Sequence, residues 1–186
     1  MRKLLVVTSA VFLAASTAHA DIKIGFVTSA SGPAAATGVP LIKGIEAALA
    51  YAHSIGSEKL TVIRLDDGSD PSNAARNARK LIEQEQVDIL IGSSTAPSSI
   101  AMAAVANEMK VPMIALAPIM ASKAEGNENW AICVIQPPPL IVKTIADRMA
   151  RDGVKNVAFI GFSDPWGDLV YNGAKAQEPN NGLKII

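Results

Sequence analysis

Short apolar runs alternate with amphipathic helical patterns along most of this 186-residue chain, and this alternation constrains the fold more than any other feature. Each run has the length of a buried strand, and the stretches between carry apolar residues three and four positions apart. Such alternation is typical of parallel strands joined by right-handed helical crossovers. We therefore predict an α/β fold in which helices cover both faces of a parallel sheet. The predicted strands are residues 22–27, 60–65, 87–91, 111–116, 130–135, 156–162 and 183–186.

Proline, glycine and aspartate mark where the helices begin and end. We expect the first helix to begin at Pro40 and to end at Gly56, which is a natural helix stop. Asp70 is expected to cap the second helix, with Pro71 in its first turn. Further helices are expected at residues 97–109, 141–153 and 166–176.

Charge and composition exclude several kinds of partner. The chain has 17 basic and 17 acidic residues, so it lacks the strong positive field that attracts nucleic acids or anionic membranes.

The first twenty residues combine a basic start, an apolar segment and a small-x-small ending, which predicts an export signal peptide cleaved near Ala20. Cys133 is the sole cysteine and lies in an apolar run, so we expect no internal disulfide and a buried, unreactive thiol.

Three consecutive prolines, Pro137 to Pro139, interrupt the pattern after the strand at 130–135. Prolines lack the N–H donor of a sheet ladder and fix φ, so we predict a stiff crossing segment here. Beyond it, Ile141 and Ile145 begin the apolar pattern of a new helix. We therefore divide the chain into a signal peptide (1–20), a complete α/β lobe (21–136), and a crossing segment with the incomplete start of a second lobe (137–186).

The candidate binding site follows the strand at 87–91, where Ser93, Ser94 and Thr95 stand in a row. Pro97 suits the first turn of a helix, so these hydroxyls lie at a helix N-terminus. That end offers unpaired N–H groups and the positive end of the helix dipole, which favour an anion. Crevices at the carboxyl ends of parallel strands are also where such sheets bind ligands. The same hydroxyls could instead only cap the helix, and both interpretations remain open.

Other site chemistries find less support. His53 is the one histidine outside the first twenty residues, and a Ser-His-Asp arrangement would need it beside Ser93 or Ser94. Neither a Gly-x-Ser-x-Gly elbow nor a G-x-G-x-x-G turn is present. His53 and Cys133 supply no ligand cluster, so we expect no metal and no cofactor. The aspartates at 66, 67 and 70 could suggest calcium, but a turn followed by a helix cap is the simpler interpretation.

A set of short motifs stands in a recognisable order along residues 21–176. They are Ile24-Gly25-Phe26, Ser31-Gly32-Pro33, Asp66-Asp67, Asp70-Pro71, Ile91-Gly92-Ser93-Ser94-Thr95, Pro112-Met113-Ile114 and Gly161-Phe162-Ser163-Asp164-Pro165-Trp166-Gly167-Asp168. The ordered set resembles the periplasmic substrate-binding proteins of branched-chain amino acid ABC transporters, the leucine-binding or type I binding-protein family. Within that family it is similar to members that take up aromatic or other small organic acids.

The resemblance implies two Rossmann-like lobes that close on a small amino acid or organic acid in the periplasm and deliver it to a membrane permease. Ser93, Ser94 or Thr95, with the helix N-terminus, would hold the ligand's carboxylate. Receptor domains that sense ligands share this fold, so a sensing role remains the alternative to transport.

The resemblance also implies three further contacts. Ala117 would offer backbone groups to an amino or other polar substituent, and Thr37 would line the cleft from the first lobe. Trp166 would line it from the second lobe, or else belong to that lobe's core. Leucine binders carry a Gly-Ala-Thr turn where this chain has Pro118 after Ala117, which disfavours a conventional α-amino acid site. The chain also stops where the family's second lobe has barely begun, so an incomplete cleft is expected.

Overall fold

The computed structural model of the protein describes residues 21–119 and 129–186. The export-signal prediction concerns residues 1–20, which lie outside the described residues. The main sheet has six strands in the order β2-β3-β1-β4-β5-β6, and all neighbours are parallel except β2 and β3. These strands are β1 (Ile22–Thr28), β2 (Ser54–Ile55), β3 (Glu58–Asp66), β4 (Ile89–Gly92), β5 (Met113–Ala115) and β6 (Ala131–Cys133).

Helices connect the strands as the alternation predicts, so the α/β fold class is confirmed. The three helices of this part are α1 (Ala35–Tyr51), α2 (Pro71–Glu83) and α3 (Ala96–Met109). The core forms where α2 and α3 meet the sheet, with Leu81 and Met102 fully buried against Val27, Leu90 and Met113. Asp70 caps α2 as expected, because its side chain accepts the N–H of Asn73 at 2.8 Å.

The strand order places a topological switch point between β1 and β4. The chain passes from β1 to β3 on one side and then crosses to β4 on the other side of β1. Loops that leave neighbouring strands at such a point diverge and open a crevice at the carboxyl edge of the sheet. The fold therefore brings the β1–α1 and β4–α3 loops side by side.

The predicted bounds of the first helix are wrong at both ends. α1 begins at Ala35, five residues before Pro40, because turn bonds from Thr37 and Gly38 to the carbonyl of Ala34 start the helix early. Pro40 then stands inside the helix. Gly56 does not end it either, since Gly56 adopts φ +61° in the tight turn between β2 and β3, a hairpin that the sequence pattern missed.

A second, two-stranded parallel sheet is formed by β7 (Asn156–Val157) and β8 (Lys184–Ile185). Three helices accompany it: α4 (Pro138–Arg151), α5 (Pro165–Lys175) and α6 (Glu178–Asn181). The prediction of a strand over 156–162 is too long, because the ladder with β8 ends at Val157, and beyond it only the N–H of Phe159 bonds across, to the carbonyl of Ile186 at 3.1 Å. Ile160 is 96% exposed and Phe162 is 74% exposed. The division into lobes at 136/137 stays a prediction.

Two of the three prolines after β6 begin a helix, and the crossing segment between two lobes stays a prediction. Pro138 and Pro139 are the first two residues of α4, where a missing N–H costs no bond within the helix. The buried face of α4 also differs from the predicted pattern, since Val142 is buried whereas Ile141 and Ile145 are exposed. The reason is that α5 lies on the Val142 side, with Gly173 against the Val142 side chain.

The prediction of a buried Cys133 is wrong. Cys133 is exposed at the end of the edge strand β6, where Ala131 turns inward and Ile132 outward. An apolar run on an edge strand of three residues therefore did not indicate burial at every position.

Candidate functional site

Three loops meet around Asp67 at the carboxyl edge of the main sheet. This side chain is fully buried and accepts hydrogen bonds from all three loops. One oxygen accepts the hydroxyl of Ser29 after β1, at 2.7 Å, and the N–H of Ser69 after β3, at 2.8 Å. The other oxygen accepts the hydroxyl of Ser93 after β4. One carboxylate thus ties together the three loops that surround the switch point.

The neighbouring Asp66 fastens the β1–α1 loop from the exposed side. Its carboxylate accepts the hydroxyl of Ser31 at 2.6 Å and the N–H groups of Ala30 and Gly68, both at 2.8 Å. Burial raises the pKa of Asp66, but the hydrogen bonds from Ser31, Gly68 and Ala30 together lower it below its ordinary value. These bonds agree with the turn interpretation of the aspartates. Within 21–119 and 129–186, no group of three or more metal-ligating side chains is found.

Ser93 is an internal residue of the turn. It is fully buried, its N–H donates to the hydroxyl of Ser99 at 2.8 Å, and its own hydroxyl donates to Asp67. The Ser99 hydroxyl donates in return to the Ser93 carbonyl at 3.1 Å. The Ser93 hydroxyl is therefore already committed to Asp67 and has no exposed surface to offer a ligand.

Ser94 and Thr95 keep a donor each. The Ser94 hydroxyl accepts the N–H of Ser29 at 3.2 Å, and the Thr95 hydroxyl accepts the N–H of Ser98 at 3.3 Å as the cap of α3. Neither hydroxyl proton has an acceptor among the described residues. A hydroxyl that accepts one bond can still donate one, so the capping and ligand-binding interpretations are compatible.

The backbone adds two donors at the same helix end. The N–H groups of Thr95 and Ala96 precede the first hydrogen-bonded turn of α3, and neither has a partner within the described chain. Pro97 has no N–H, and the N–H of Ser98 is used by the cap. Two hydroxyl protons and two amide protons thus gather at the positive end of a 14-residue helix, an arrangement that suits a carboxylate.

The other predicted contact residues make no hydrogen bond to this donor cluster among the described residues. Thr37 is exposed in the first turns of α1, and Ala117 is buried after β5, where its carbonyl lies 3.5 Å from the Cys133 sulfur. Trp166 is half-buried as the second residue of α5. Among the described residues, no hydrogen bond joins Thr37, Ala117 or Trp166 to Ser94. The structure therefore assembles the donors of residues 94–96, and the role of the other three stays a prediction.

An apolar groove of about 430 Å³ lies between the loop after β5, the end of β6 and helices α4 and α5. Its lining includes Pro118, Cys133, Pro138, Leu169 and Asn172. The donors of residues 94–96 do not line it. The donor cluster at residues 94–96 and this groove are therefore different places on the molecule.

The position of His53 contradicts the Ser-His-Asp arrangement with Ser93 or Ser94. Its carbonyl accepts the N–H of Leu60 at 2.9 Å, and Leu60 pairs with Ile22 at the amino edge of the sheet. Ser93 and Ser94 follow β4 at the carboxyl edge. The imidazole and the serines therefore stand at opposite ends of the strands. In the part of the chain that the structure describes, none of the helices has both the length and the apolarity for crossing a membrane.

Comparison with known proteins agrees with this architecture. The sequence profile of the family described as "Periplasmic binding protein" matches residues 21–186. Leu/Ile/Val-binding protein homolog 7 of Brucella abortus (strain 2308) is 32% identical over 187 residues, covering 92% of this chain and 46% of that relative. The chain spans less than half the length of the curated relatives it matches.

Solved structures share the fold. Rp1789 of Rhodopseudomonas palustris (strain CGA009) is 39% identical with a TM-score of 0.82, over 89% of this chain and 45% of that one. A solute-binding protein of an ABC transporter from R. palustris, solved in complex with 4-hydroxybenzoate, is 24% identical with a TM-score of 0.78, over the same shares of the two chains. At that identity the second likeness speaks for the fold alone.

The Asp67 cluster is what the sequence interpretation missed. Its partners Ser29 and Ser93 lie 38 and 26 positions away, whereas the pattern Asp-Asp-Gly looks locally like a simple turn. The one available signal was the presence of a serine after each neighbouring strand.

Proposed function

The chain belongs to the periplasmic binding protein family, and from this premise we propose that it is the extracytoplasmic solute-binding component of an ABC importer. The proposed ligand is a small carboxylate, either a branched-chain amino acid or an aromatic acid. The proposed partner is the membrane permease of that importer. Ligand-sensing receptors of the same fold would bind in the same way, so uptake by a reconstituted permease is the measurement that separates the two roles.

One observation carries the proposal. The hydroxyls of Ser94 and Thr95 and the N–H groups of Thr95 and Ala96 have no acceptor among the described residues, at the positive end of α3. Unsatisfied donors at a helix N-terminus are stabilised by an anion, and hydrogen bonds to a charged acceptor contribute about 1.5–3 kcal/mol each. A ligand carboxylate supplies both the charge and the acceptors.

The rest of the proposed ligand would be held by the other predicted residues. Backbone groups at Ala117 are proposed to meet a polar substituent, and Thr37 to contact the ligand from the β1–α1 side. Trp166, at the start of α5, is proposed to supply a flat apolar wall from a second lobe. Pro118 removes an N–H from the turn after β5, which supports an aromatic or simple organic acid over an α-amino acid.

The test is calorimetric titration of the protein with L-leucine, L-valine, benzoate, 4-hydroxybenzoate and 3,4-dihydroxybenzoate. We expect one of these two classes to bind, and saturation at about 100 times Kd to add about 2.7 kcal/mol to the free energy of unfolding. If none binds, the solute-binding proposal is wrong for small carboxylates of both classes.

Paired serine variants locate the site. Ser94→Ala removes one of the four donors, so we expect about tenfold weaker binding. Ser98→Ala is the matched control, since Ser98 is fully buried in the first turn of α3 and its hydroxyl has no partner within the described chain. Equal affinity of Ser94→Ala and the wild-type chain would place the carboxylate elsewhere.

A further inference from the structure

We propose that Asp67 is the positioning residue of the carboxylate site: it touches no ligand, but it fixes the direction in which Ser94 presents its hydroxyl proton. This inference rests on the proposed function. Asp67 is fully buried between three loops, and its two oxygens face different loops. The path from each oxygen leads, through one serine, to the same residue.

The first path passes through Ser29. The Ser29 hydroxyl donates to one oxygen of Asp67 at 2.7 Å, and the Ser29 N–H donates to the Ser94 hydroxyl oxygen at 3.2 Å. This N–H occupies one lone pair of the Ser94 hydroxyl. A hydroxyl held by an incoming donor directs its own proton away from that donor. The Ser94 proton is therefore left to donate to an acceptor atom of the ligand, such as a carboxylate oxygen.

The second path passes through Ser93. The Ser93 hydroxyl donates to the other oxygen of Asp67, and the Ser93 oxygen accepts the N–H of Ser94 at 2.6 Å. This bond fixes the Ser94 peptide and keeps its N–H turned into the protein. Asp67 thus constrains Ser94 from the hydroxyl side and from the amide side, over two hydrogen bonds on each path.

An electrostatic role and a positioning role of Asp67 predict opposite changes in ligand affinity when its charge is removed, so the role can be tested. A buried negative charge near a carboxylate site repels the ligand, so a purely electrostatic role predicts that removing the charge strengthens binding of an anion. A positioning role predicts weaker binding, because the amide group of Asn presents a donor where Ser93 needs an acceptor. The sign of the change therefore separates the two roles.

The experiment is a double-mutant cycle with 4-hydroxybenzoate, or with the tightest binder of the titration above if that compound does not bind. Kd is measured for the wild-type chain, Asp67→Asn, Ser94→Ala and the double variant. We expect Asp67→Asn to weaken binding about tenfold, and the double variant to bind within about twofold of Ser94→Ala, because Asp67 acts through Ser94. Additive losses, or tighter binding by Asp67→Asn, would overturn the inference.

Asp70→Asn is the matched control, since Asp70 lies in the same loop and caps α2 without touching Ser29 or Ser93. It should leave Kd unchanged. Should Asp67→Asn fail to fold, Ser29→Ala and Ser93→Ala each cut one path, and each must show the same non-additivity with Ser94→Ala. If the wild-type chain binds and Asp67→Asn has the same Kd, only the role of Asp67 is refuted. A wild-type chain that binds no compound refutes the proposed function and this inference with it.

Discussion

Gly92 lies where the chain leaves β4 and turns towards the donor cluster. Its φ is +144°, and a Cβ built there would stand 2.1 Å from the carbonyl oxygen of Val27 on the neighbouring strand. The close approach of β4 to β1 at the switch point therefore depends on the absence of a side chain. Any residue with a side chain would have a strained backbone there, and its Cβ would clash with the Val27 carbonyl.

We predict that Gly92→Ala lowers the free energy of unfolding by about 3 kcal/mol or more, because backbone strain and a steric clash act together. Gly44→Ala is the control, since Gly44 stands in α1 with open space around its Cβ position. That variant should be more stable by about 0.5–1 kcal/mol. Urea denaturation of both variants measures the difference, and a tolerated Gly92→Ala would show that β4 approaches β1 less closely than described.

The lowered pKa of Asp66 makes the stability of the protein depend on pH in the acid range. Its pKa in the folded protein is below its ordinary value, 3.8, because the hydrogen bonds from Ser31, Gly68 and Ala30 outweigh the effect of burial. The folded state therefore favours the ionised form. The stabilisation is present above the pKa of the unfolded chain and is lost as pH falls through the lower pKa of the folded chain.

We accordingly predict that Asp66→Asn flattens the acid limb of the stability curve below about pH 4, the range around the pKa of an unfolded aspartate. Urea midpoints measured between pH 6 and pH 2.5 test this. The difference between the two curves isolates Asp66 from other carboxylates with lowered pKa, such as Glu108 beside Arg79. Parallel curves would contradict the assigned role.

At the scale of elements, α4 offers a direct test of which helix face is buried. Val142 is 7% exposed, whereas Ile145 is 49% exposed. We predict that Val142→Ala costs about 1.5 kcal/mol, from two lost carbon atoms at about 0.8 kcal/mol each. Ile145→Ala removes more apolar volume but should cost less than about 0.5 kcal/mol. If thermal denaturation ranks the two in the reverse order, α4 packs through its Ile141–Ile145 face.

The elements differ in how far the sequence predicted them, and the reasons are physical. α2 was predicted well because a capping aspartate, a proline in the first turn and a strongly one-sided apolar pattern agree. α1 was misplaced because small residues before Pro40 look like a loop, while Gly38 packs under the Ser29 carbonyl. α4 was misjudged because its partner, α5, lies far along the chain and decides which side is covered.

The site shows the same limit. Local cues placed Ser94 and Thr95 at a helix N-terminus, since strand, hydroxyls and proline follow each other directly. Burial of Ser93 could not be predicted, because it depends on Asp67, which comes from another loop. Long-range hydrogen bonds leave no periodic signal in a sequence.

At the scale of the whole molecule, the two sheets differ in how much apolar core packs against them. The six-stranded sheet has a continuous apolar core, whereas β7 and β8 form a two-stranded sheet, a kind that is marginal without further packing. Ile160, Phe162 and Ile186, next to that small sheet, are exposed. We therefore expect local stability to be lower around the two-stranded sheet than around the six-stranded one. The relatives are more than twice as long as the matched chain.

We predict that amide hydrogen exchange separates the two sheets. The N–H of Leu90 bonds to Pro112 at 2.9 Å in the buried sheet, and the N–H of Lys184 bonds to Lys155 at 2.8 Å in the small one. Despite similar bond lengths, Lys184 should exchange at least 100-fold faster, because its strand opens without global unfolding. Equal protection would mean that both sheets open together as one cooperative unit.

The exposed position of Cys133 also has a practical consequence. As the chain's sole cysteine, it stands at the rim of the apolar groove beside Ile135 and Leu169. A maleimide fluorophore will therefore attach at one defined place without any engineered residue. Because that place adjoins both α5 and the end of the main sheet, we expect the emission of such a dye to respond to any change in how the two pack, so the protein carries the attachment point of an optical sensor in its own sequence.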